Sequence, residues 1–284
     1  MNKKSNLTTL TFIFILCLTS ASLLAVISQA LKTKQEAAKR QYLISQILIS
    51  ARILDTKGYF LLNNQPAIFA NSHLVFSKKG IRASRSDIQK LYELRVTPLL
   101  CNASGQTFTF EQLNMDYTTY FENYQAEGFS QLEYKLYYQI SDNENPHQIY
   151  GLTFPVLAFG LWDAIAALIS IQPNGNTILG FSCYEQKETP GLGGEISEPW
   201  WQQQFIGKQI FRTSDYTTSP IGIDVVKPAK MDSLNAQQKR SSIAAITGAS
   251  ITSEGIMRGL QSSLTPYRNL LIRTRESYEK TPSA

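Results

Sequence analysis

The sequence is short of the residues that metal and nucleophile sites usually require. Its 284 residues contain three cysteines and two histidines. Cys17, Cys101 and Cys183 have no metal-ligand spacing, and His73 and His147 stand far apart in polar or turn-like surroundings. This argues against a zinc site and a Ser/His/Asp triad. Cys101 and Cys183 read as two buried thiols, with a disulfide in an exported domain as the alternative. A Rossmann-type glycine fingerprint is lacking, so dinucleotide binding is not expected. Repeats and low-complexity stretches are also lacking. The formal charge of +5 is spread over Lys3 and Lys4, a cluster from Lys32 to Arg40, and Arg268, Arg273, Arg275 and Lys280, with no aromatic-laced basic stripe. Nucleic acid is therefore not an expected partner.

The most informative absence is that of charge between Lys4 and Lys32, where the chain reads Leu10 to Thr19 and Leu23 to Ile27 with almost continuous apolar character. Such a run is long enough to cross a bilayer core of about 30 Å as a helix. A cleavable signal peptide competes, because Ser28-Gln29-Ala30 resembles a cleavage site, but the run exceeds the usual signal core of about 7–15 residues. A lipoprotein signal fits poorly, since Leu16 precedes Cys17. An uncleaved anchor over residues 1–31, lying in membrane lipid, is the expectation. The positive charges around Lys32 to Arg40 favour a cytoplasmic location for the residues after the anchor.

The chain beyond the anchor predicts an α+β domain with a mostly antiparallel sheet and flanking helices. Leu43, Ile44, Ile47, Leu48, Ala51 and Leu54 recur at helical spacing within Gln35 to Leu54. Residues 32–148 form a helical linker and the first part of the soluble region, with an alternating strand-like run over Glu133 to Ile140 and a turn at Asn143 to Pro146. Residues 149–265 are richer in apolar residues and glycine, and the segments before and after Pro173-Asn-Gly-Asn176 read as a tight hairpin. Residues 266–284 read as a tail, with Arg273 and Arg275 on a solvated helix face.

Two stretches could carry chemistry. Glu188-Thr-Pro-Gly-Leu-Gly-Gly194 has the proline and glycines of a loop that brings amides against a planar ring or a phosphate, or of an ordinary turn. Thr247-Gly-Ala-Ser-Ile-Thr-Ser253 precedes a helical pattern at Ile256, Leu260 and Leu264 that Pro266 stops. It sits where helix amides and dipole favour a phosphate, although its hydroxyls could equally be helix caps. Trp162, Trp200 and Trp201 could stack on a ring system, but each reads first as packing.

Taken in order behind one span, Gly160-x-Trp162, Glu188 to Gly194 and Thr247 to Ser253 resemble the NqrC-like, FMN-binding subunit of sodium-translocating NADH:quinone reductases. The resemblance covers the anchor and about residues 149–264. It implies FMN attached through a phosphodiester to the last residue of a Ser/Thr-Gly-Ala-Thr motif. Thr247, Gly248 and Ala249 match the first three positions, and Ser250 occupies the acceptor position with serine in place of threonine. The aspartate usual three residues before the motif is replaced by Ala244, which bears on recognition by the FMN transferase. Thr252, Glu188, Thr189, Leu192 and Gly193 are the further cofactor-binding candidates.

The resemblance implies an electron relay from NADH toward ubiquinone, coupled to sodium export, inside a complex of six subunits and without independent catalysis. It also places the soluble domain on the periplasmic face of the inner membrane, against the charge bias, and the expectation follows it. The homologous FMN subunit of the ferredoxin-linked ion-pumping complex is the nearest alternative. A membrane-anchored flavin regulator and a cofactor-free adaptor are others.

Overall fold

The computed structural model describes residues 3–127 and 132–280. It divides into two compact units, Met1–Leu43 and Ile44–Ala284. The first is the exposed portion of a helix, α1 (Lys3–Ser50), of 48 residues. At 1.5 Å per residue α1 extends about 72 Å. Within Leu7–Ser50 it is long and apolar enough to cross a membrane. Apolar side chains such as Phe12, Phe14, Leu24 and Val26 are more than 60% exposed, as lipid-facing residues would be.

The end of α1 belongs to the second unit, where Ile44, Ile47 and Leu48 are buried. The helix stops at Ser50 and not at Leu54, because Arg52 adopts a φ of 58°. The Ile53 N–H returns to the Leu48 carbonyl and the Arg52 N–H to that of Ile49. This is a Schellman closure with arginine in the position usually held by glycine. Ala51 and Leu54 are buried all the same.

After α1 the chain forms β1 (Phe60–Leu62), β2 (Gln65–Ala70), β3 (His73–Phe76), α2 (Arg85–Arg95), β4 (Val96–Cys101), β5 (Thr107–Phe108) and α3 (Tyr117–Glu127). Next come β6 (Lys135–Ser141), β7 (Ile149–Phe159), β8 (Ala164–Ile171), β9 (Ile178–Glu185) and α4 (Pro199–Gln202). The remainder is β10 (Asp224–Val226), α5 (Pro228–Met231), α6 (Ala236–Arg240), β11 (Ser242–Ala244), α7 (Ser250–Leu264) and α8 (Arg268–Lys280). The central sheet has the order β5-β4-β6-β7-β8-β9, antiparallel throughout. β1 to β3 make a small antiparallel sheet, and β10 and β11 pair in parallel. The α+β expectation is met.

The run at Glu133 to Ile140 becomes a strand, but not a half-buried one. Leu136, Tyr137, Tyr138 and Ile140 are all buried, so β6 is covered on both faces and its apolar residues need not alternate. Its register with β7 ends where Tyr138 pairs with Thr153, short of Pro155, a residue with no N–H to donate.

One sheet face carries the main core. Phe154, Val156, Ile165, Ile169, Phe181, Ile256, Leu260 and Leu264 meet there, together with the fully buried Trp201. α7 lies directly on β7, at a distance set by small residues. A Cβ on Gly255 would strike the Phe159 carbonyl oxygen, and one on Gly259 would lie 2.7 Å from the Ala158 Cα. The other face is met by the end of α1 through a buried polar line. Ser50 Oγ lies 2.8 Å from Ser170 Oγ, Ser170 lies 2.6 Å from Thr153 Oγ1, and Ser182 donates to Gln46 at 2.5 Å. Each hydroxyl is satisfied within the interface, as burial requires.

Residues 266–280, expected as a tail, are integral to this unit. Tyr267 is buried and donates to the Leu136 carbonyl, and Leu270 and Leu271 are buried along α8. Arg275 is not simply solvated: its guanidinium lies 4.3 Å from the Tyr216 ring centroid and pairs with Glu279. Tyr216 in turn stacks on Phe211 at 4.3 Å.

Cys101 and Cys183 are free, buried thiols. Burial pushes Cys101 up to about 12 and Cys183 up to about 11. Because the thiolate is the reactive form, native protein treated with iodoacetamide at pH 8 is expected to label neither residue, while urea-unfolded protein labels both. Rapid native labelling of either, read by peptide mass spectrometry, would contradict the packing.

Candidate functional site

Three segments meet around one carboxylate. The β7–β8 connection supplies Gly160 to Asp163, the segment after β9 supplies Glu188 to Gly194, and the start of α7 supplies Thr247 to Ser253. Glu188 is 5% exposed and faces inward. Its Oε1 accepts from the Trp162 N–H at 2.9 Å and its Oε2 from the Thr252 hydroxyl. The tight turn of the second segment is closed by the Leu192 and Gly194 N–H groups, both donating to the Thr189 carbonyl.

The first two segments are also joined through side chains. Trp162 Nε1 donates to Thr189 Oγ1 at 3.1 Å, and Lys187 pairs with Asp163 at 2.5 Å. Neither sequence pattern hinted at these cross-links, because their partners lie 24 to 27 residues apart and no local periodicity reports them. The one usable signal was glycine. A Cβ on Gly160 would collide with Glu188 Oε1, and one on Gly193 would lie 2.6 Å from Glu188 Oε2 and 2.7 Å from Thr252 Oγ1.

Burial by itself would raise the Glu188 carboxyl. The Thr252 hydroxyl and the N–H groups of Trp162, Leu161 and Asp163 all donate to its charged form, and the net displacement is downward. The carboxylate is therefore ionised at neutral pH and fully engaged.

At the start of α7 the four hydroxyls divide into two pairs. Thr252 is committed to Glu188, and Ser253 accepts from the Ile246 N–H at 3.2 Å. Thr247 and Ser250 are exposed. The residue at the helix cap is Ala249, and no side chain caps the helix. Capping by Ser or Thr, the ordinary use of such residues, is thus not what this cluster does. The first N–H groups of this 15-residue helix therefore receive no side-chain cap, and the exposed Ser250 stands at the helix start. Gly248, at φ 83°, turns the chain into the helix, and the Leu192 side chain lies 3.2 Å from where its Cβ would stand. The second and third segments are therefore in contact.

Around this point large apolar side chains stand in solvent. Trp162 is 67% exposed and Ile251 53%, with Leu161, Leu192 and Phe159 also exposed. Such a cluster marks a binding surface more often than a bare one. Of the other tryptophans, Trp200 is exposed and donates to Glu195 at 2.9 Å. Trp201 is core, and donates to the Ala244 carbonyl at 3.0 Å, so it stacks on nothing outside the protein. Ala244 also gives its N–H to Gln204 Oε1 at 2.9 Å. A separate groove of about 500 Å³, lined by Phe108, Tyr137, Leu152, Leu270 and Arg273, shares no residue with the three segments.

Residues 160–265 match the FMN-binding domain family. The NqrC subunit of the Na(+)-translocating NADH-quinone reductase of Chlamydia caviae is 34% identical over 287 residues, covering 92% of this chain and 90% of the relative. The crystal structure of the same subunit from Parabacteroides distasonis superposes with a TM-score of 0.59 at 24% identity, covering 85% of this chain and 96% of that one. That of Shewanella oneidensis NqrC superposes with a TM-score of 0.57 at 20% identity, covering 84% of this chain and 99% of that one. Both structures support the fold. With 34% identity to a relative over nearly the full length of both chains, the protein belongs to the NqrC family of Na(+)-translocating NADH-quinone reductase subunits.

Proposed function

We propose that the chain is the FMN-bearing electron-relay subunit of a Na(+)-translocating NADH-quinone reductase, with FMN joined by a phosphodiester to Ser250. The observation that carries the attachment is the uncapped start of α7, with an exposed Ser250 hydroxyl beside it. FMN bound there supplies the one-electron redox chemistry that no unmodified side chain of this protein offers.

The residues present fit the group. The uncapped amides at the start of α7 and its dipole favour a phosphate at Ser250. Thr247, Gly248 and Ala249 shape the approach to it. Leu192, Trp162 and Ile251 offer apolar surface to a planar ring, and Thr189 and the loop amides offer polar contacts. Glu188, Gly193 and Thr252 lie beneath and hold these parts together. Serine has the same nucleophilic oxygen as the threonine common in the family, so the bond to phosphorus is available to it.

The single apolar helix of sufficient length among the described residues makes the protein a one-span membrane subunit. We place its soluble unit on the periplasmic side, with attachment performed by an FMN transferase there. Protease added to intact spheroplasts is then expected to cleave the soluble unit, and complete protection would reverse the topology.

The main test is co-expression of the full chain with an FMN transferase in an exporting host, followed by denaturing intact-mass spectrometry and in-gel flavin fluorescence. The expected result is a mass increase of one FMN less one water. An unmodified mass, together with no binding of free FMN, would leave the relay without a carrier and overturn the proposal.

A further inference from the structure

We propose that Glu188 is a positioning residue for this site: its carboxylate latches the Trp162-bearing loop to the first turn of α7, so that the ring-facing and attachment halves are held in one arrangement. The proposal deepens the reading of Ser250 as the attachment residue and rests on it only for its consequence, not for the latch itself.

The geometry is that of an anion in a nest of donors. One oxygen receives the Trp162 N–H at 2.9 Å, and the neighbouring Leu161 and Asp163 N–H groups also favour the charged form of this carboxylate. The other oxygen receives the Thr252 hydroxyl. Successive N–H groups of one loop converge on an anion in the same way in backbone nests that bind phosphate. Here the anion is supplied from within the chain. Two glycines make the closeness possible, since a side chain at Gly160 or Gly193 would overlap the carboxylate. Thr252 sits two residues after Ser250 on the same helix turn, and Trp162 is tied a second time through Thr189. Moving the carboxylate would therefore release both halves together.

The buried charge does not act on a ligand directly, because the carboxylate is almost fully covered. Its depressed titration adds a direction. The latch is at full strength above the ordinary carboxylate range near about pH 4.3, and is lost only as pH falls through the lower folded-state value.

The test uses the full chain in detergent, carrying Ser250→Ala so that no flavin is attached, and reads hydrogen exchange at the amides of residues 161–163. A charge-assisted hydrogen bond lost from a buried site corresponds to about a tenfold or greater rise in exchange. Glu188→Ala is expected to produce that rise, and Thr252→Val a rise confined to the start of α7. Glu188→Gln is expected to restore protection in the loop, because its carbonyl oxygen can accept there while its amide donates to the Thr252 oxygen.

In the Ser250 background, the rate of flavin attachment at saturating transferase is expected to fall about tenfold in Glu188→Ala and to recover in Glu188→Gln, following the exchange data. Unchanged exchange in Glu188→Ala, or lost protection with an unchanged attachment rate, would overturn the proposal. If Glu188→Ala does not fold, Thr252→Val decides by exchange at the start of α7 and by the attachment rate: an unchanged value of either would overturn the proposal. If the wild-type chain takes no flavin at all, the function reading falls, and exchange at residues 161–163 still decides the latch.

Discussion

Ser250→Ala is expected to abolish covalent flavin completely, reducing the intact mass to that of the bare polypeptide and removing in-gel fluorescence, while leaving the fold intact. The two halves of this prediction have separate physical origins. Attachment needs a nucleophilic oxygen, and alanine has none. Stability does not need that oxygen, because Ser250 is exposed and no side chain caps α7. Surface substitutions of this kind change stability by about 0.5 kcal/mol or less, and alanine is the better helix former. Ser250→Thr supplies the oxygen again and is expected to restore the modification. Thr247 is the other exposed hydroxyl of the cluster. A flavinylated Ser250→Ala protein, with the modified peptide mapping to Thr247, would move the attachment point by three residues.

Gly255→Ala is expected to reverse the usual sign of a glycine substitution in a helix. In an exposed helix this change stabilises by about 1 kcal/mol. At Gly255 the added carbon would meet the Phe159 carbonyl oxygen, a backbone atom held in the β7–β8 register. Neither side can yield by a rotamer change, so α7 would have to lift from β7. That movement would open the packing of Ile256, Leu260 and Leu264, each fully buried. Overpacking of a core usually costs about 1–3 kcal/mol, and Gly255→Val is expected at or above the top of that range. Thermal unfolding of the full chain in detergent, followed by near-ultraviolet circular dichroism, should show a lower midpoint for Gly255→Ala and a larger fall for Gly255→Val. An unchanged or higher midpoint for Gly255→Ala would mean that the helix does not approach the strand this closely. Because Ser250 and Thr252 are on the same helix, the displacement should also slow flavin attachment.

The elements that were legible in the sequence share a local cause. The uncharged run after Lys4 can be recognised as a span because crossing a bilayer is a condition on consecutive residues. The helical face of Ile256, Leu260 and Leu264 is visible because burial of one face imposes a period on neighbours. The β8–β9 hairpin announced itself through Pro173, Asn174 and Gly175, residues that a tight turn requires. Arg52 shows where local reading stops. Nothing in an arginine signals positive φ, so the apolar spacing alone carried the helix on to Leu54 when it ends at Ser50. The strand β6 was legible as a strand, but the alternation read there did not report its cover on both faces, which depends on what packs against the sheet.

By itself, then, the sequence determined the span, the apolar face of α7, the turn before β9 and the order of the glycine-bearing motifs, all of which depend on residues close together in the chain. Only the tertiary structure decided which hydroxyls are spent and which are free. Thr252 is committed to Glu188, 64 residues away, and Ser253 to a backbone N–H, leaving Ser250 exposed. It also turned Trp201 into core and left Trp162 in solvent, although both are aromatic residues beside glycine-rich segments. The physical reason is common to these cases. A hydrogen bond or a burial is shared by two partners, and when the partners are far apart in the chain the choice between them is made by sheet register and helix packing, which no single stretch of sequence contains.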